Sequence, residues 1–398
     1  MIDLKRRTSS KSRKGVMVAA GGTAGHIMAA VSVAEALMSS GCDSITYLTA
    51  NTDIDRELLP ESQHDVVRYR AHGLSAKRSL RHLLRFIYAS AKASVAILIP
   101  ITKRRPKVVV TFGGFYSLVG SIWAKVLGAN VVVVEQNVVL GRANQVVSLF
   151  ADKVLLAFDT TEVPGRKRDV AQVVGNPIRK EVVELVRAKE GAKAAARAAL
   201  GVDASQVLLV ITSGSLGAKS INSAVCRVLE SFEDLMRNTP RSFPLKVVHF
   251  QGKRNGVTNE LKIPLVFVEY LEKDFDPNLY LWLAAADLVV SRAGTSTLFE
   301  LFCLGVPSVF VPLPDAPKNH QWLNANYARE LGAAEMVEEG PNLAGRLTEV
   351  VWGLLLDQKK RISMAEAAKH RGRTDSADRI AACALGLCTG SASGMEGN

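Results

Sequence analysis

Val18-Ala-Ala-Gly21-Gly22-Thr23-Ala24-Gly25-His26 and Val210-Ile-Thr-Ser213-Gly214-Ser215-Leu216-Gly217-Ala218 are two versions of one device. In each, an apolar run enters a turn of small residues and leaves it as a helical pattern. Glycines let the backbone bend tightly and bring its N–H groups close to a ligand. The helix that follows contributes the positive charge of its N-terminus. Turn and helix together form an anion site at the end of a strand. The likeness is one of form rather than of sequence, and it divides the chain into two halves that open alike.

Outward from these turns, short β-branched runs alternate with helical patterns. In the first half strands are expected at Gly15–Ala20, Ile45–Ala50, Val66–Arg70, Val108–Phe112, Val131–Glu135 and Val154–Phe158. In the second half they are expected at Val207–Thr212, Lys246–Gln251, Leu265–Val268, Leu288–Ser291 and Ser308–Val311. Continuous apolar runs, rather than strict alternation, mark strands covered on both faces. Strand–helix alternation then implies parallel sheets with right-handed crossovers. With 398 residues the chain is too long for one ordinary core, so the expectation is an α/β protein of two doubly wound parallel-sheet domains. They are read as residues 15–176 and 177–364, parted at Gly175-Asn176-Pro177, where proline forces an extended or turn geometry. One last helix, 365–387, is expected to pack back on the first domain. Residues 1–14 and 390–398 are polar or Gly/Ser-rich and are expected to be disordered.

Composition excludes several classes. Apolar residues make up 48 % and charged residues 22 %, the balance of a globular protein. The net charge of +12 seeks anions: nucleic acid, phosphorylated substrates or an acidic membrane. Aromatics are only 6 % and do not interleave with basic residues, which argues against nucleic acid. Five scattered cysteines without a CxxC pair argue against a disulfide frame or a zinc site and for a reducing compartment. The basic start lacks the apolar core of a secretory signal. The longest apolar candidate, Phe86–Ile101, is shorter than the roughly 20 residues of a membrane span and is interrupted by Lys92.

Other segments fall where strands end. His26 closes the first turn, where an imidazole can remove a proton at neutral pH; a capping histidine would look the same. Ser215 offers a hydroxyl to a diphosphate held in the second turn. Ser291-Arg-Ala-Gly294 leads into a helix bearing Glu300, whose carboxylate suits the paired hydroxyls of a ribose, although helix glutamates are more often solvated. Downstream, Pro312-Leu-Pro-Asp315 leads to His320, Gln321 and Asn324. The last two share a helix face, and such groups suit sugar hydroxyls, while Asp315 and Asn319 also read as caps. Glu135-Gln136-Asn137 follows another strand. Ligands of open α/β sheets bind at these carboxyl ends, so the segments converge on one cleft between the domains. Separately, Leu80, Leu83, Leu84, Phe86 and Ile87 form an apolar stripe among Lys77, Arg78, Arg81 and Arg85, with Lys103, Arg104, Arg105 and Lys107 following. Such a helix can lie on an anionic bilayer or serve as a core helix with a basic outer face.

Gly21-Gly-Thr-Ala-Gly-His26, Glu135-Gln-Asn137, Val174-Gly-Asn-Pro-Ile-Arg179, Ser213–Ala218, Ser291-Arg-Ala-Gly294 with Glu300, and His320-Gln321 with Asn324 occur in the order that resembles the MurG family, bacterial UDP-N-acetylglucosamine transferases of peptidoglycan synthesis. The resemblance runs from about Gly15 to about Leu387. It implies a GT-B fold, UDP-GlcNAc as donor, and undecaprenyl-pyrophosphoryl-MurNAc-pentapeptide as acceptor at the inner membrane face. It further implies no required cofactor or metal, a divalent cation at most stimulating, and cell-wall synthesis proteins as partners. It makes His26 the base. It puts Thr23, Ala24, Gly25, Asn137, Arg179, Ser215, Leu271, Glu300, Gln321 and Asn324 in the substrate site, with Leu271 near uracil, Ser215 on the diphosphate, Glu300 on the ribose, and Gln321 and Asn324 on GlcNAc hydroxyls. Gly21, Gly22, Gly113 and Gly114 would hold the acceptor diphosphate, Asn137 would lie between the two sugars, and Leu80, Leu83, Leu84 and Ile87 would meet the membrane. The chain departs from the family pattern at Ala24, Leu118-Val119, Ser213, Leu216 and His320, and Glu272–Asp287 is longer than usual. The rival readings are another GT-B transferase, a UDP-GlcNAc 2-epimerase and a non-catalytic membrane adaptor.

Overall fold

The computed structural model describes residues 15–59, 61, 64–69, 94–188, 191–239, 243–253 and 261–390. The Leu80–Ile87 stripe, the basic start and the tail after Gly390 lie outside the described residues.

The first sheet contains β1 (Gly15–Ala19), β2 (Ser44–Thr49), β3 (Val66–Arg68), β4 (Val108–Thr111), β5 (Asn130–Glu135), β6 (Lys153–Leu156) and β7 (Ala171–Val173). Its helices are α1 (Ala24–Ser39), α2 (Asp53–Leu58), α3 (94–104), α4 (Phe115–Val126) and α5 (Arg142–Ser148). After α6 (Lys180–Val186) and α7 (Ala192–Leu200), the second sheet contains β8 (Val207–Thr212), β9 (Leu245–Phe250), β10 (Val268–Lys273), β11 (Leu288–Ser291), β12 (Ser308–Phe310) and β13 (Ala334–Met336). Its helices are α8 (Lys219–Asn238), α9 (Leu279–Ala285), α10 (Thr295–Leu304), α11 (His320–Glu330) and α12 (Leu343–Leu356). The chain ends in α13 (Gln358–Lys369) and α14 (Ser376–Thr389).

The strand orders are β3-β2-β1-β4-β5-β6-β7 and β10-β9-β8-β11-β12-β13, and every pairing is parallel. Central strands such as Val108–Thr111 are buried at every position, as a sheet covered by helices on both faces requires. In both sheets the order reverses beside the first strand, between β1 and β4 and between β8 and β11. A crevice opens outside the carboxyl ends at such a switch point. Both turns quoted above, and the turns after β4 and β11, sit there.

The structure corrects several sequence expectations. The strand expected at Leu265–Val268 runs Val268–Lys273 instead. It is an edge strand of alternating exposure, so the more apolar stretch before it is the entry loop, begun by Pro264. Strands β7 and β13 were not foreseen, because each is a short edge strand of mixed polarity, Ala-Gln-Val and Ala-Glu-Met. The single helix expected over 365–387 is two, α13 and α14. They break at Gly372, where a Cβ would stand 2.7 Å from Cys303 Cα. Gly390 is described, as the left-handed cap of α14.

α13 stays with the second domain, against α10. α14 returns to the first, where Ile380, Ala381 and Ala384 share a core with Val33, Ala34 and Leu37 of α1. Asn130 Nδ2 donates to the Leu387 carbonyl at 3.1 Å. Because Ile380 is fully buried, Ile380→Ala should cost about 2–5 kcal/mol of stability. Chemical denaturation of both proteins measures this directly.

Candidate active site

β1 delivers Gly21 and Gly22 to the cleft, and Thr23 caps α1 by accepting from the His26 N–H. The turn rests on Asp55 of α2, a fully buried carboxyl group. Asp55 Oδ1 accepts from Gly22 N at 3.1 Å and from Thr49 Oγ1 at 2.8 Å, and Oδ2 accepts from Thr52 N at 3.1 Å. Gly21 is required here, since a Cβ would meet Thr49 Oγ1 at 2.8 Å and Ala50 N at 2.9 Å. His26 follows in the first turn of α1. Its Nδ1 is buried and has no well-formed hydrogen-bond partner. Burial lowers its pKa below the ordinary histidine value; the Glu135 carboxyl group and the Gly21 backbone pull it up, and His320 pushes it down. The ring is therefore neutral at neutral pH, the form that takes a proton.

β5 ends at Glu135, which is 3 % exposed. Its Oε1 accepts from Asn137 N at 3.0 Å and from Asn137 Nδ2 at 3.3 Å. Its Oε2 accepts from Gly141 N at 2.8 Å and from Asn144 Nδ2 at 2.9 Å. With its Nδ2 turned toward Glu135, Asn137 presents Oδ1 to the second domain. There it accepts from Thr295 Oγ1 at 2.9 Å and from Asn324 Nδ2 at 3.2 Å. Asn324, fully buried in α11, accepts in turn from Val138 N at 3.1 Å. Lys318 Nζ also crosses, donating to the Leu140 carbonyl at 2.9 Å. Lys318 and Asn319 both have left-handed backbones, with φ of 56° and 55°. Such strain in residues other than glycine is held only where the surroundings enforce it.

On the second side, the Ser213–Ala218 turn precedes α8, and Ser215 is exposed. Gly294 begins α10, whose first turn, like that of α1, carries no acidic residue. The two helix starts approach so closely that a Cβ on Gly25 would lie 3.2 Å from Ser296 Oγ. Two positive helix ends therefore converge on the cleft. Glu300 is 3 % exposed, and its Oε1 accepts from Arg179 Nε at 2.6 Å. Burial raises its pKa, and Arg179 opposes the rise. Gln321 folds back on its own loop, accepting from Leu313 N at 3.0 Å. His320 Nδ1 lies 2.9 Å from the Pro317 carbonyl. Leu271 sits inside β10, half-buried, rather than beyond the end of a strand. Gly113 and Gly114, with φ of 95° and 86°, form the turn after β4. Among the described residues no cluster of three or more His, Cys, Asp or Glu side chains could hold a metal ion.

Two doubly wound parallel sheets whose switch points share one cleft make this a GT-B fold, an architecture used for nucleotide-sugar chemistry. Residues 16–156 match the glycosyltransferase family 28 N-terminal domain and residues 208–380 its C-terminal domain, and the chain belongs to that family. It is 34 % identical over 373 residues to the UDP-N-acetylglucosamine--N-acetylmuramyl-(pentapeptide) pyrophosphoryl-undecaprenol N-acetylglucosamine transferase of Xanthomonas euvesicatoria, covering 94 % of this chain and 81 % of that protein. The transferase of the same name from Thiobacillus denitrificans is 31 % identical, with 93 % and 97 % covered. The crystal structure of Acinetobacter baumannii MurG superposes with a TM-score of 0.70 at 23 % identity, covering 93 % of this chain and 99 % of that one. A UDP-N-acetylglucosamine 2-epimerase structure from Listeria monocytogenes, described there as putative, gives 0.66 at 15 % identity, with 98 % and 100 % covered, and shares the fold. The resemblance read from the ordered motifs is thus borne out.

The structure brings Gly25, Asn137, Thr295 and Asn324 together and joins Arg179 to Glu300. Sequence reasoning missed Asp55, Thr295 and Lys318. Thr52-x-x-Asp55 at the start of α2 is a capping-box pattern that could have flagged Asp55. Asp55→Ala strips buried donors of their acceptor and should destabilise the protein by about 2–4 kcal/mol, while Asp55→Glu should recover little, because the site is closed. Thermal and urea unfolding of both variants check this.

Proposed function

We propose that the chain transfers GlcNAc from UDP-GlcNAc to the 4-hydroxyl of MurNAc in undecaprenyl-pyrophosphoryl-MurNAc-pentapeptide, with inversion at the anomeric carbon. The observation that carries this reading is the unpartnered, buried Nδ1 of His26 at the start of α1, which meets the start of α10 where Gly25 approaches Ser296, in a cleft edged by Asn137 and Asn324. The family assignment and the names of the curated relatives agree with it.

In this scheme the donor diphosphate lies against the Ser213–Ala218 turn and Ser215, with the α8 N-terminus behind it. Glu300 takes the ribose hydroxyls with the acceptor capacity that its bond to Arg179 leaves free. Leu271 packs near the uracil. Gln321 and Asn324 read the GlcNAc hydroxyls. The Gly21-Gly22 turn, Thr23, Ala24 and Gly25 face the substrates from the other side, with Gly113 and Gly114 on the acceptor diphosphate. The acceptor hydroxyl attacks the anomeric carbon in line and gives its proton to His26. The bond to the phosphate oxygen breaks as the new glycosidic bond forms, and UDP leaves with its charge stabilised by turn N–H groups. Closure of the two domains keeps water from the donor.

A membrane-facing surface belongs to the same proposal. No helix among the described residues is long and apolar enough to cross a membrane. Helices α3 and α4 share a core through Ile97, Ile101, Val119 and Ala124. On their outer sides Val95, Ile99, Ile122 and Val126 are 63 %, 63 %, 41 % and 67 % exposed. Lys103, Arg105 and Lys107 are exposed at the end of α3 and just beyond it. Exposed apolar atoms with cations at the end of the same helix suit an anionic bilayer, and such docking would bring the cleft to a lipid-linked acceptor.

Release of UDP from UDP-GlcNAc should depend on a lipid-linked MurNAc-pentapeptide. In His26→Ala the rate should fall by about 10²- to 10⁴-fold, the range of a general base. Release that ignores the acceptor would point to an epimerase or hydrolase, and UDP binding without turnover to an adaptor. Since the acting form of His26 is neutral and its pKa is depressed, kcat/KM should rise with pH through a midpoint below the free imidazole value of about 6.5 and be level by neutrality. A pH–rate profile tests this. The double variant Ile99→Glu, Val126→Glu should lose binding to anionic vesicles in a sedimentation assay while keeping its turnover of a water-soluble, short-chain acceptor.

A further inference from the structure

Beneath the Ser213–Ala218 turn runs a chain of buried polar side chains that the transfer step does not use. Asn222, fully buried in the first turns of α8, directs its Nδ2 to the Gln251 carbonyl at 3.0 Å. Its Oδ1 is therefore the accepting end, and the Ser213 hydroxyl donates to it. His249 of β9, also fully buried, places Nε2 at 3.0 Å from the same Oδ1. That oxygen can only accept, so Nε2 carries the proton. Burial lowers the His249 pKa to about 4, so the ring is neutral and Nδ1 is an acceptor. Nδ1 faces the Tyr270 hydroxyl at 3.1 Å, and that hydroxyl shares its one proton between Nδ1 and Glu272 Oε2, to which it donates at 2.7 Å. The chain thus runs from the turn, through Asn222 and the imidazole, to Tyr270 and Glu272 on the edge strand β10.

The turn above has little slack. Gly214 and Gly217 have φ of 75° and 83°, Gly217 N donates to the Gly214 carbonyl at 3.1 Å, and Lys253 N donates to the Ser215 carbonyl at 3.1 Å. Gly252 lies so close that a Cβ would stand 2.3 Å from Gly217 N. The turn is held by backbone contacts on one side and by Ser213, through Asn222, on the other. Asn222 is held in turn by an imidazole with one permitted tautomer.

We propose that His249 is a positioning residue for the donor: by fixing Asn222, and through it Ser213, it sets the Ser213–Ala218 turn in the shape that meets the diphosphate. It touches no substrate and takes no part in the proton transfer at His26. The proposal rests on the reading of this turn as the donor diphosphate site.

The test is calorimetric binding of UDP, with steady-state kinetics, for the wild type, His249→Ala, His249→Gln and Tyr270→Phe. The wild type should bind UDP. In His249→Ala, UDP affinity should fall and the donor KM rise by about 10-fold, the loss of one hydrogen bond in a buried network, with kcat and acceptor KM held within about 2-fold. Glutamine can present an amide N–H where Nε2 stood, so His249→Gln should recover most of the loss. Tyr270→Phe removes only one hydroxyl at the sheet edge, keeps the test available should His249→Ala not fold, and should shift the donor KM in the same direction by about 2- to 3-fold. Unchanged UDP affinity in both His249→Ala and Tyr270→Phe would overturn the proposal. So would a loss of kcat and acceptor affinity equal to the loss of donor affinity. A wild type that does not bind UDP would instead remove the functional reading itself.

Discussion

Glu135 is a buried carboxyl group at the end of a central strand, and burying it demands donors. It takes four hydrogen bonds: from the backbone of Asn137 and Gly141 and from the side chains of Asn137 and Asn144. The loop between β5 and α5 is therefore wrapped around it. One consequence carries to the other domain. With its Nδ2 turned toward Glu135, the side chain of Asn137 points Oδ1 across the cleft, where Thr295 and Asn324 supply the donors. The relation between the domains at the cleft thus traces back to one buried acid.

The groups assigned to substrate are, in this arrangement, occupied by one another. Asn324 is bonded to Asn137 and Val138, Glu300 to Arg179, and Gln321 to its own loop. The amide contacts are hydrogen bonds of the kind a sugar hydroxyl would make, whereas Glu300 and Arg179 form a partly buried ion pair. Exchanging an amide contact for a sugar contact costs little in net hydrogen-bond energy, because both states satisfy the same polar atoms. The scheme therefore asks Asn324 and Gln321 to change partners as the donor enters, while the Glu300–Arg179 pair and the Asp55 and Glu135 anchors stay in place. Binding is then coupled to domain movement through a few side chains rather than through the cores.

Much of this was legible in the chain. Uninterrupted β-branched runs such as Val131–Val134 read as strands covered on both faces, and the repeated strand–glycine turn–helix device located both switch points. The failures have physical causes. Edge strands such as Ala334–Met336 are set by pairing with a neighbour, which local pattern does not contain. The apolar entry to β10 looked more strand-like than the strand, because an edge strand keeps a solvated face. The break between α13 and α14 depends on Gly372 meeting the backbone near Cys303, a contact between residues far apart in sequence. For the candidate site, residue type and order singled out the glycines and His26. The bonding of Asn137 to Thr295 joins the two halves of the chain, and that of Glu300 to Arg179 joins residues far apart in the second; no local spacing encodes either.

The central claim is a single in-line displacement at the donor's anomeric carbon, assisted by His26. The most direct measurement is the anomeric configuration of the disaccharide made from α-linked UDP-GlcNAc and a short-chain lipid-linked acceptor, read by proton NMR of the isolated product. A β1→4 linkage is the result this account predicts. An α linkage would require a second displacement or a different attacking geometry, and would contradict it.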